Sequence, residues 1–467
     1  MALHTAHLLL ILMLGNKIEL HIERLVYGGK GLGRHNNMVV FVPDVITGEK
    51  TLVEISARKK DYAEAELIQV LEPSPHRITP PCPIYHECGG CQWMHIDYPF
   101  QVQAKREIVA ETLKRGLKTE DAAVPPLIPS STPLNYRQRV QFKVHPVRDK
   151  APKAPGGRWQ PVSNGVKHEN SKYQIGYYKK ETHQLVDVNE CLLLRPLLNK
   201  ALKKIKELLN SGKISQLKDL KELHMHCSSD ERAMVFILYA DEISKDELNN
   251  LFKEIKEAVS EAAGIIFIDK YKKRIIAGSP FIEEELQGIS FRISGDSFSQ
   301  IDWVQNKILV KLALDYIGDA QYKNALDLFC GIGNFTLFIA KNADNVIGMD
   351  SGKTAIDDAK YNSKKNLISN ISFMYNDVKY GMASLLAEGK RFDLVLIDPP
   401  RNGVGKDSVN AIVRLQPSKI IYISCNPVTL SRDIAHFKAK GYELKRLQAV
   451  DMFPQTYHIE TVAELVK

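Results

Sequence analysis

The chain has 467 residues, 44% hydrophobic and 25% charged, the balance of a soluble globular protein of two to four domains at roughly 100–200 residues each. That balance excludes a disordered or collagen-like chain. With 63 Lys and Arg against 55 Asp and Glu the formal charge is +8, so a large partner is expected to be anionic. The longest apolar run, Leu8 to Leu14, is far short of the ~20 residues a bilayer crossing needs. No Lys or Arg precedes it and no small-residue cleavage site follows. Residues 1–15 are therefore expected to be an untidy leader on a cytoplasmic protein with no membrane contact. Seven cysteines, an odd number without an export signal, argue against a disulfide framework and for metal or catalytic roles.

Residues 17–72 read as a small β-barrel. Lys17 to Glu23 alternates, Gly28 to Gly33 is a turn-rich stretch, Met38 to Val42 is a compact strand, and Thr51–Ser56 and Glu66–Leu71 complete the short strands. Small barrels of this kind often hold oligonucleotides, although a purely structural barrel would read the same. Five prolines between Pro73 and Pro83 mark a linker. Pro99 to Arg115 is expected to be a helix with Val102, Ile108, Val109 and Leu113 on one side. Residues 135–300 mix alternating segments, such as Arg139 to Val144, with helical ones at Leu197–Leu209 and Lys245–Val259. Between Ser130 and Glu190 there are eleven Lys and Arg against five Asp and Glu, with Tyr173, Tyr177 and Tyr178 among them. Cations grip phosphates and aromatics stack on bases, so this stretch is a candidate RNA face, with a solvated loop over Pro146–Lys172 as the plainer reading. From about residue 297 short apolar runs (Ala325–Phe329, Asn345–Met349, Ile371–Met374, Phe392–Ile397, Lys419–Ser424) alternate with helical lengths. That spacing predicts a parallel sheet wound on both faces, with ligands beyond the carboxyl ends of its strands.

Three strand ends carry chemistry. The first is Asp327-Leu-Phe-Cys-Gly-Ile-Gly-Asn-Phe-Thr336, where Gly331 and Gly333 let the backbone approach a ligand and Asp350 ends the next strand, suited to a ribose. A nicotinamide fingerprint would want a third glycine near Phe335, so S-adenosylmethionine is the better fit, with Asp327 near its amino-acid end. The second is Asp398-Pro-Pro-Arg401, in which two prolines hold a carboxylate at the sheet edge. Arg401 stands where amino-methylating enzymes carry an aromatic, which argues against that chemistry; a structural Pro-Pro turn is the plainer reading. The third is Ser424-Cys425-Asn426-Pro427. A lone cysteine is most often an inert hydrophobe, but at the carboxyl edge of a parallel sheet it is a nucleophile candidate. Carbon 5 of uracil is a weak nucleophile; a thiolate adding to carbon 6 makes it an enolate able to attack a methyl sulfonium. A base must then remove the carbon-5 proton, and Glu460 in His458-Ile-Glu-Thr461 is a candidate, where alone it would read as a surface charge.

Phe298-Ser-Gln300, DLFCGIGNFT, IDPPR, SCNP and HIET together resemble the RNA 5-methyluridine methyltransferases, from residue 17 onward. The resemblance implies that Gln300, Phe329, Asn334, Asp350, Asp377 and Asp398 contact S-adenosylmethionine or the uracil, that Cys425 is the nucleophile and Glu460 the general base. It also makes the barrel similar to a TRAM domain, which helps bind RNA. The family commonly carries Gln-x-Asn where this chain has Gln300-Ile-Asp302, so a contact from position 302 is in question. The expected architecture is multidomain α/β. Residues 17–72 form a TRAM/OB-like barrel, 73–98 with 126–296 a central mixed α+β domain holding the cysteine cluster, and 99–125 with 297–467 a doubly wound Rossmann-like methyltransferase domain.

Cys82-x5-Cys88-x2-Cys91, with Cys191 a hundred residues on, offers four thiolates suited to an iron–sulfur cluster or zinc. A radical S-adenosylmethionine site would carry Cys-x3-Cys-x2-Cys. The same arrangement is similar to the bacterial 23S ribosomal RNA methyltransferases with a 4Fe-4S cluster, which implies that cluster, a 23S ribosomal RNA substrate and a monomeric enzyme. Cys227 and Cys330 are expected to be bystanders. The alternatives are the transfer RNA version of the enzyme, whose typical members lack the four cysteines, and a non-catalytic RNA-binding or iron–sulfur redox protein.

Overall fold

The computed structural model describes residues 14–119, 123–147 and 173–467. The first thirteen residues of the expected leader, and the stretch Pro146–Lys172 beyond Val147, lie outside the described residues. The chain forms two compact units: one from residues up to Pro83, Cys91–Pro133 and Leu396–Lys467, the other from Ile84–Gly90 and Leu134–Val395. Among the described residues no helix is long and apolar enough to cross a membrane.

In the first unit, strands Lys17–Leu25, Gly31–His35, Met38–Val42, Lys50–Arg58 and Tyr62–Glu72 close into a barrel in the order first, second, third, fifth, fourth. Alternation decides which residues fill it: Leu20, Ile22, Val40, Val42, Val53, Ile55, Ala63 and Ala65 are buried together. The turn expected at Gly28–Gly33 is shorter than its glycines suggested, because Gly31 opens the second strand. A Cβ on Gly31 would collide with Val45, and one on Gly33 with the His21 carbonyl. Those two glycines serve close packing of the barrel wall, not a change of direction.

Helix Tyr98–Leu117 is capped by Asp97, whose side chain accepts from Phe100 N at 2.9 Å, with Pro99 in its first turn. Ile108, Val109 and Leu113 are buried as expected, but Val102 is only half-buried. Lys105 is instead turned inward: its Nζ donates to Asp451 Oδ1 at 2.7 Å and to the Phe453 carbonyl at 3.0 Å. Both side chains of this pair are fully buried. Helix Pro427–Lys438 packs on this helix, where Gly116 leaves room for Ser431. Strand Lys419–Ser424 pairs antiparallel with Glu460–Val466, which pairs antiparallel with Glu443–Val450. This corrects the fully parallel sheet expected. The chain between Val450 and Glu460 is too short for the dozen or more residues that a parallel crossover requires, so it returns as a hairpin.

The second unit contains a seven-stranded sheet in the order Arg274–Gly278, Ala262–Ile268, Met234–Tyr239, Glu222–Cys227, Arg139–Pro146, Tyr173–Tyr178, Leu185–Asp187. It is antiparallel except between Met234–Tyr239 and Ala262–Ile268. Helix Pro196–Ser211 seats Leu198, Leu202, Ile205 and Leu209 in the core beside it, a spacing of three and four that makes one apolar face. Tyr173 and Tyr177 pack against this same core, so two of the three tyrosines offered as base-stacking groups are engaged in packing. Farther on, strands Tyr322–Leu328, Ala343–Asp350 and Ile371–Tyr375 are parallel neighbours, as expected. Helices Lys353–Lys365 and Val378–Ala387 pack on them.

Candidate active site

In the second unit, strand Tyr322–Leu328 ends in Phe329, a non-glycine residue at φ +65°, a sparsely populated conformation that persists only where surroundings impose it. The loop that follows folds over Asp350. Gly331 N donates to Asp350 Oδ2 at 3.0 Å and Gly352 N to Oδ1 at 2.7 Å, which fixes the carboxylate at the end of its strand. A Cβ on Gly331 would meet nothing within 4 Å, so the backbone there borders open space. Asp327 behaves otherwise than expected. It is fully buried, and Thr336 Oγ1 donates to it at 2.5 Å, so it closes the loop from inside. Asn334 exchanges two amide hydrogen bonds with Asn306, at 2.8 and 3.0 Å. Asp377, exposed, caps helix Val378–Ala387 by accepting from Lys379 N at 2.9 Å.

Gln300, half-buried, lies in a loop held at both sides. Gln138 N donates to the Ile301 carbonyl at 2.9 Å, and Ser297 Oγ donates to Asp358 Oδ2 at 2.8 Å. Asp302, the departure from the family pattern, caps helix Trp303–Ile317, accepting from Val304 N and Gln305 N at 3.0 and 3.2 Å. It is fully buried. Aspartate keeps the capping that asparagine would provide there.

In the first unit the other three motifs meet. Asp398 follows strand Leu394–Ile397, and Pro400 begins a turn closed by Gly403 N donating to its carbonyl at 2.8 Å. Asn426, the N-cap of helix Pro427–Lys438, joins this turn to the cysteine loop: its Nδ2 donates to the Arg401 carbonyl at 3.0 Å while its Oδ1 accepts from Val428 N at 3.0 Å. Thr429 Oγ1 donates to the same Arg401 carbonyl at 3.2 Å. The Arg401 guanidinium donates to His458 Nε2 at 3.0 Å. Thr461 Oγ1 donates to the Ser424 carbonyl at 2.9 Å, which ties the strand carrying Glu460 to the end of the strand carrying Cys425.

Electrostatics bind these side chains into one site. Burial, and then the Glu460 and Asp398 carboxylates, push the half-buried Cys425 thiol up to about 12, against the pull of Arg401. Glu460 is 3% exposed. Burial, and then Asp398, raise its carboxyl well above the usual carboxylate range, again opposed by Arg401. Both groups therefore hold their protons more tightly than they would in water. One further residue is present that no motif announced: Tyr27, from the barrel, donates its hydroxyl to the Cys425 carbonyl at 3.1 Å. The same unit holds a cavity of about 1040 Å³ whose lining includes Tyr27, Phe41, Ile108 and Lys114, with Arg24 and Arg115 both paired to Glu111.

The four clustered cysteines are all half-buried thiols, Cys82 and Cys91 in the first unit, Cys88 and Cys191 in the second. Gly90 N donates to Cys88 Sγ at 3.4 Å, and Asn199 brackets Cys191, accepting from its N and donating to its carbonyl, each at 3.0 Å. Among the described residues no three or more His, Cys, Asp or Glu are gathered to hold a metal ion. Cys227 and Cys330 are buried, as expected of bystanders.

Residues 164–467 match the tRNA (Uracil-5-)-methyltransferase family, and residues 12–68 match the TRAM domain. The chain is 35% identical over 455 residues to an uncharacterized RNA methyltransferase of Aquifex aeolicus, covering 96% of this chain and 98% of that one. It is 33% identical over 468 residues to another of Caldanaerobacter subterraneus subsp. tengcongensis, with 96% and 98% covered. The solved structure of the Pyrococcus abyssi tRNA (uracil-54, C5)-methyltransferase in complex with S-adenosyl-L-homocysteine has the same fold. Its TM-score is 0.69 at 24% identity, with 96% of this chain and 100% of that one covered.

Proposed function

The chain belongs to the tRNA (uracil-5-)-methyltransferase family, and from that premise we propose that it methylates carbon 5 of a uridine in 23S ribosomal RNA with S-adenosylmethionine. The observation that carries this reading is the half-buried Cys425 thiol beside the buried Glu460 carboxyl, both with proton affinity raised by burial and by nearby carboxylates and both opposed by the exposed Arg401. Gln300, Phe329, Asn334, Asp350 and Asp377 are assigned to the methyl donor and Asp398 to the uracil edge. The open backbone at Gly331 and the pinned carboxylate of Asp350 suit a ribose. The donor, when bound, supplies an electrophilic methyl group on a sulfonium.

Cys425 gives up its proton to solvent and its sulfur bonds to carbon 6 of a uridine turned out of its stack, since the face of a stacked base is unreachable. Carbon 5, now enolate-like, takes the methyl group. Glu460, ionised, then removes the carbon-5 proton, and the electrons of that bond restore the ring and expel the thiolate. A carboxylate whose proton affinity is raised by burial suits that task better than an exposed one.

We assign a 4Fe-4S cluster to Cys82, Cys88, Cys91 and Cys191, with zinc as the alternative. The sequence spacing Cys82-x5-Cys88-x2-Cys91 with Cys191 supports either, and no step of the methyl transfer uses it. Anaerobic purification followed by iron, sulfide and zinc analysis distinguishes the two; a protein with none of them removes the site. Transfer RNA is the second substrate reading, favoured by the name of the matched family and of its structural relative. Labelled S-adenosylmethionine with total RNA, followed by sequencing of the labelled fragment, decides: label at a 23S uridine supports the first reading, label in transfer RNA the second. No labelled RNA at all refutes both.

A further inference from the structure

The turn that joins the barrel's first two strands also reaches the loop that carries Cys425. Residues 26–30 form a tight turn in which Val26 N donates to the Lys30 carbonyl at 2.9 Å and Gly29 N to the Val26 carbonyl at 3.1 Å. Gly28 and Gly29 sit at φ +104° and +89°, conformations that glycine adopts without strain. The turn is held from behind: Trp93, fully buried, donates its Nε1 to the Gly29 carbonyl at 3.1 Å. It is also packed from the side, since a Cβ on Gly29 would lie 3.0 Å from Tyr457 Cδ1. At its tip the Tyr27 ring stands edge-on to Tyr457, centroids 5.4 Å apart, and its hydroxyl reaches the Cys425 carbonyl at 3.1 Å.

We propose that Tyr27 is a positioning residue for the nucleophile, so that the barrel is part of the catalytic machinery as well as an RNA anchor. The inference rests on the reading of Cys425 as nucleophile. Cys425 lies between the end of its strand and the helix that begins at Pro427, where no regular ladder holds it. Its neighbours are each fixed: the Ser424 carbonyl by Thr461, Asn426 N by Ser424 Oγ at 3.2 Å, and the Asn426 side chain by Arg401 and Val428. The Cys425 carbonyl is fixed by Tyr27. The peptide plane after Cys425 sets the direction in which Cα–Cβ points, and a nucleophile misdirected by an ångström loses much of its advantage. Burial of the phenol keeps its proton in place, so the donor persists at alkaline pH.

The test is Tyr27→Phe in the full-length enzyme, which keeps the ring on Tyr457 and removes only the hydroxyl. Losing one neutral hydrogen bond on a reacting residue is expected to lower kcat by about tenfold, with the KM for RNA within about twofold of wild type. The thermal midpoint stays within a few degrees. A second readout is covalent trapping on an RNA carrying 5-fluorouridine at the target. Cys425 sulfur bonds to carbon 6 and the methyl group arrives at carbon 5, but fluorine cannot leave as a cation, so the adduct persists. Its formation rate is expected to fall by the same factor as kcat. Unchanged kcat and trapping overturn the inference, and a loss confined to KM makes Tyr27 an RNA contact instead. Absence of trapping in the wild-type enzyme removes the nucleophile reading, and this inference with it.

Discussion

The neutral resting state of Cys425 makes a quantitative prediction about its reactivity. An ordinary thiol near 8.5 is about one-quarter thiolate at pH 8, whereas a thiol held at about 12 is roughly 10⁻⁴ ionised, some 2,000-fold less. The rarer thiolate is the stronger nucleophile. With a Brønsted slope of 0.4–0.5, a rise of about 3.5 units returns roughly 40-fold. The net expectation is exchange with a small disulfide reagent about 60-fold slower than for an exposed cysteine at pH 8, slower still because the sulfur is half-buried. The assay digests the reacted enzyme with trypsin and follows the peptide spanning residues 420–432, in which Cys425 is the one cysteine. Its rate is expected to climb tenfold per pH unit through pH 9 with no plateau. Reaction at the speed of a free thiol, or a plateau below pH 9, would show that burial and the carboxylates do not hold this proton.

Glu460 is expected to lower stability at neutral pH. Its folded proton affinity is raised, so between the unfolded and folded midpoints the native state keeps a proton that the unfolded chain has shed, and stability falls as pH rises, by about 1.4 kcal/mol per unit crossed. Glu460→Gln cannot ionise, so its thermal midpoint should exceed wild type at pH 8 and converge with it by pH 4; a constant difference refutes the linkage. The same variant should leave Cys425 joined to methylated RNA as a shifted gel band, and prompt RNA release would remove its role as base. Lys105→Met leaves the Asp451 carboxylate buried without its cation and should cost about 3–5 kcal/mol, with partial recovery in the double variant with Asp451→Asn. An unaltered melting curve would refute a structural role for the pair. Arg401→Gln removes the charge that opposes both upward shifts, so the pH–rate profile for kcat/KM should move to higher pH; an unmoved profile places that control elsewhere.

What could be read in the chain beforehand follows the length scale of each contact. Asp398, Arg401, Cys425 and Glu460 stand at strand ends in short contiguous motifs, and such loops announce their chemistry because the residues that shape them are their neighbours. The turn at Pro400–Gly403 and the cap at Asn426 are of this kind. Tyr27 is not: it reaches a residue 398 positions away, and beside Gly28-Gly29 it reads as an ordinary turn residue. Lys105 misleads for a different reason. A lysine on an apolar helix face is expected to extend into water, and only Asp451, 346 residues on, turns it inward. Asp327 had the position of a ligand-binding carboxylate, yet nothing in the sequence revealed that Thr336 would claim it.

The two raised proton affinities make sense together rather than singly. Taken alone, the environment of Cys425 is unfavourable for attack, since the lost thiolate fraction outweighs the gained nucleophilicity by more than an order of magnitude. In the proposed reaction the carboxylate that, after burial, most suppresses the thiolate is the group that later acts as base, and the burial that weakens Cys425 strengthens Glu460. A methyl transfer ending in elimination depends on proton removal from carbon 5, so a site tuned toward a strong base sacrifices resting thiolate for a faster exit. The neutral sulfur is also protected, because oxidation to sulfenic acid follows thiolate character. Arg401, held by His458 through its guanidinium and by Asn426 and Thr429 through its carbonyl, sets how far that compromise goes, lowering both proton affinities from one fixed position.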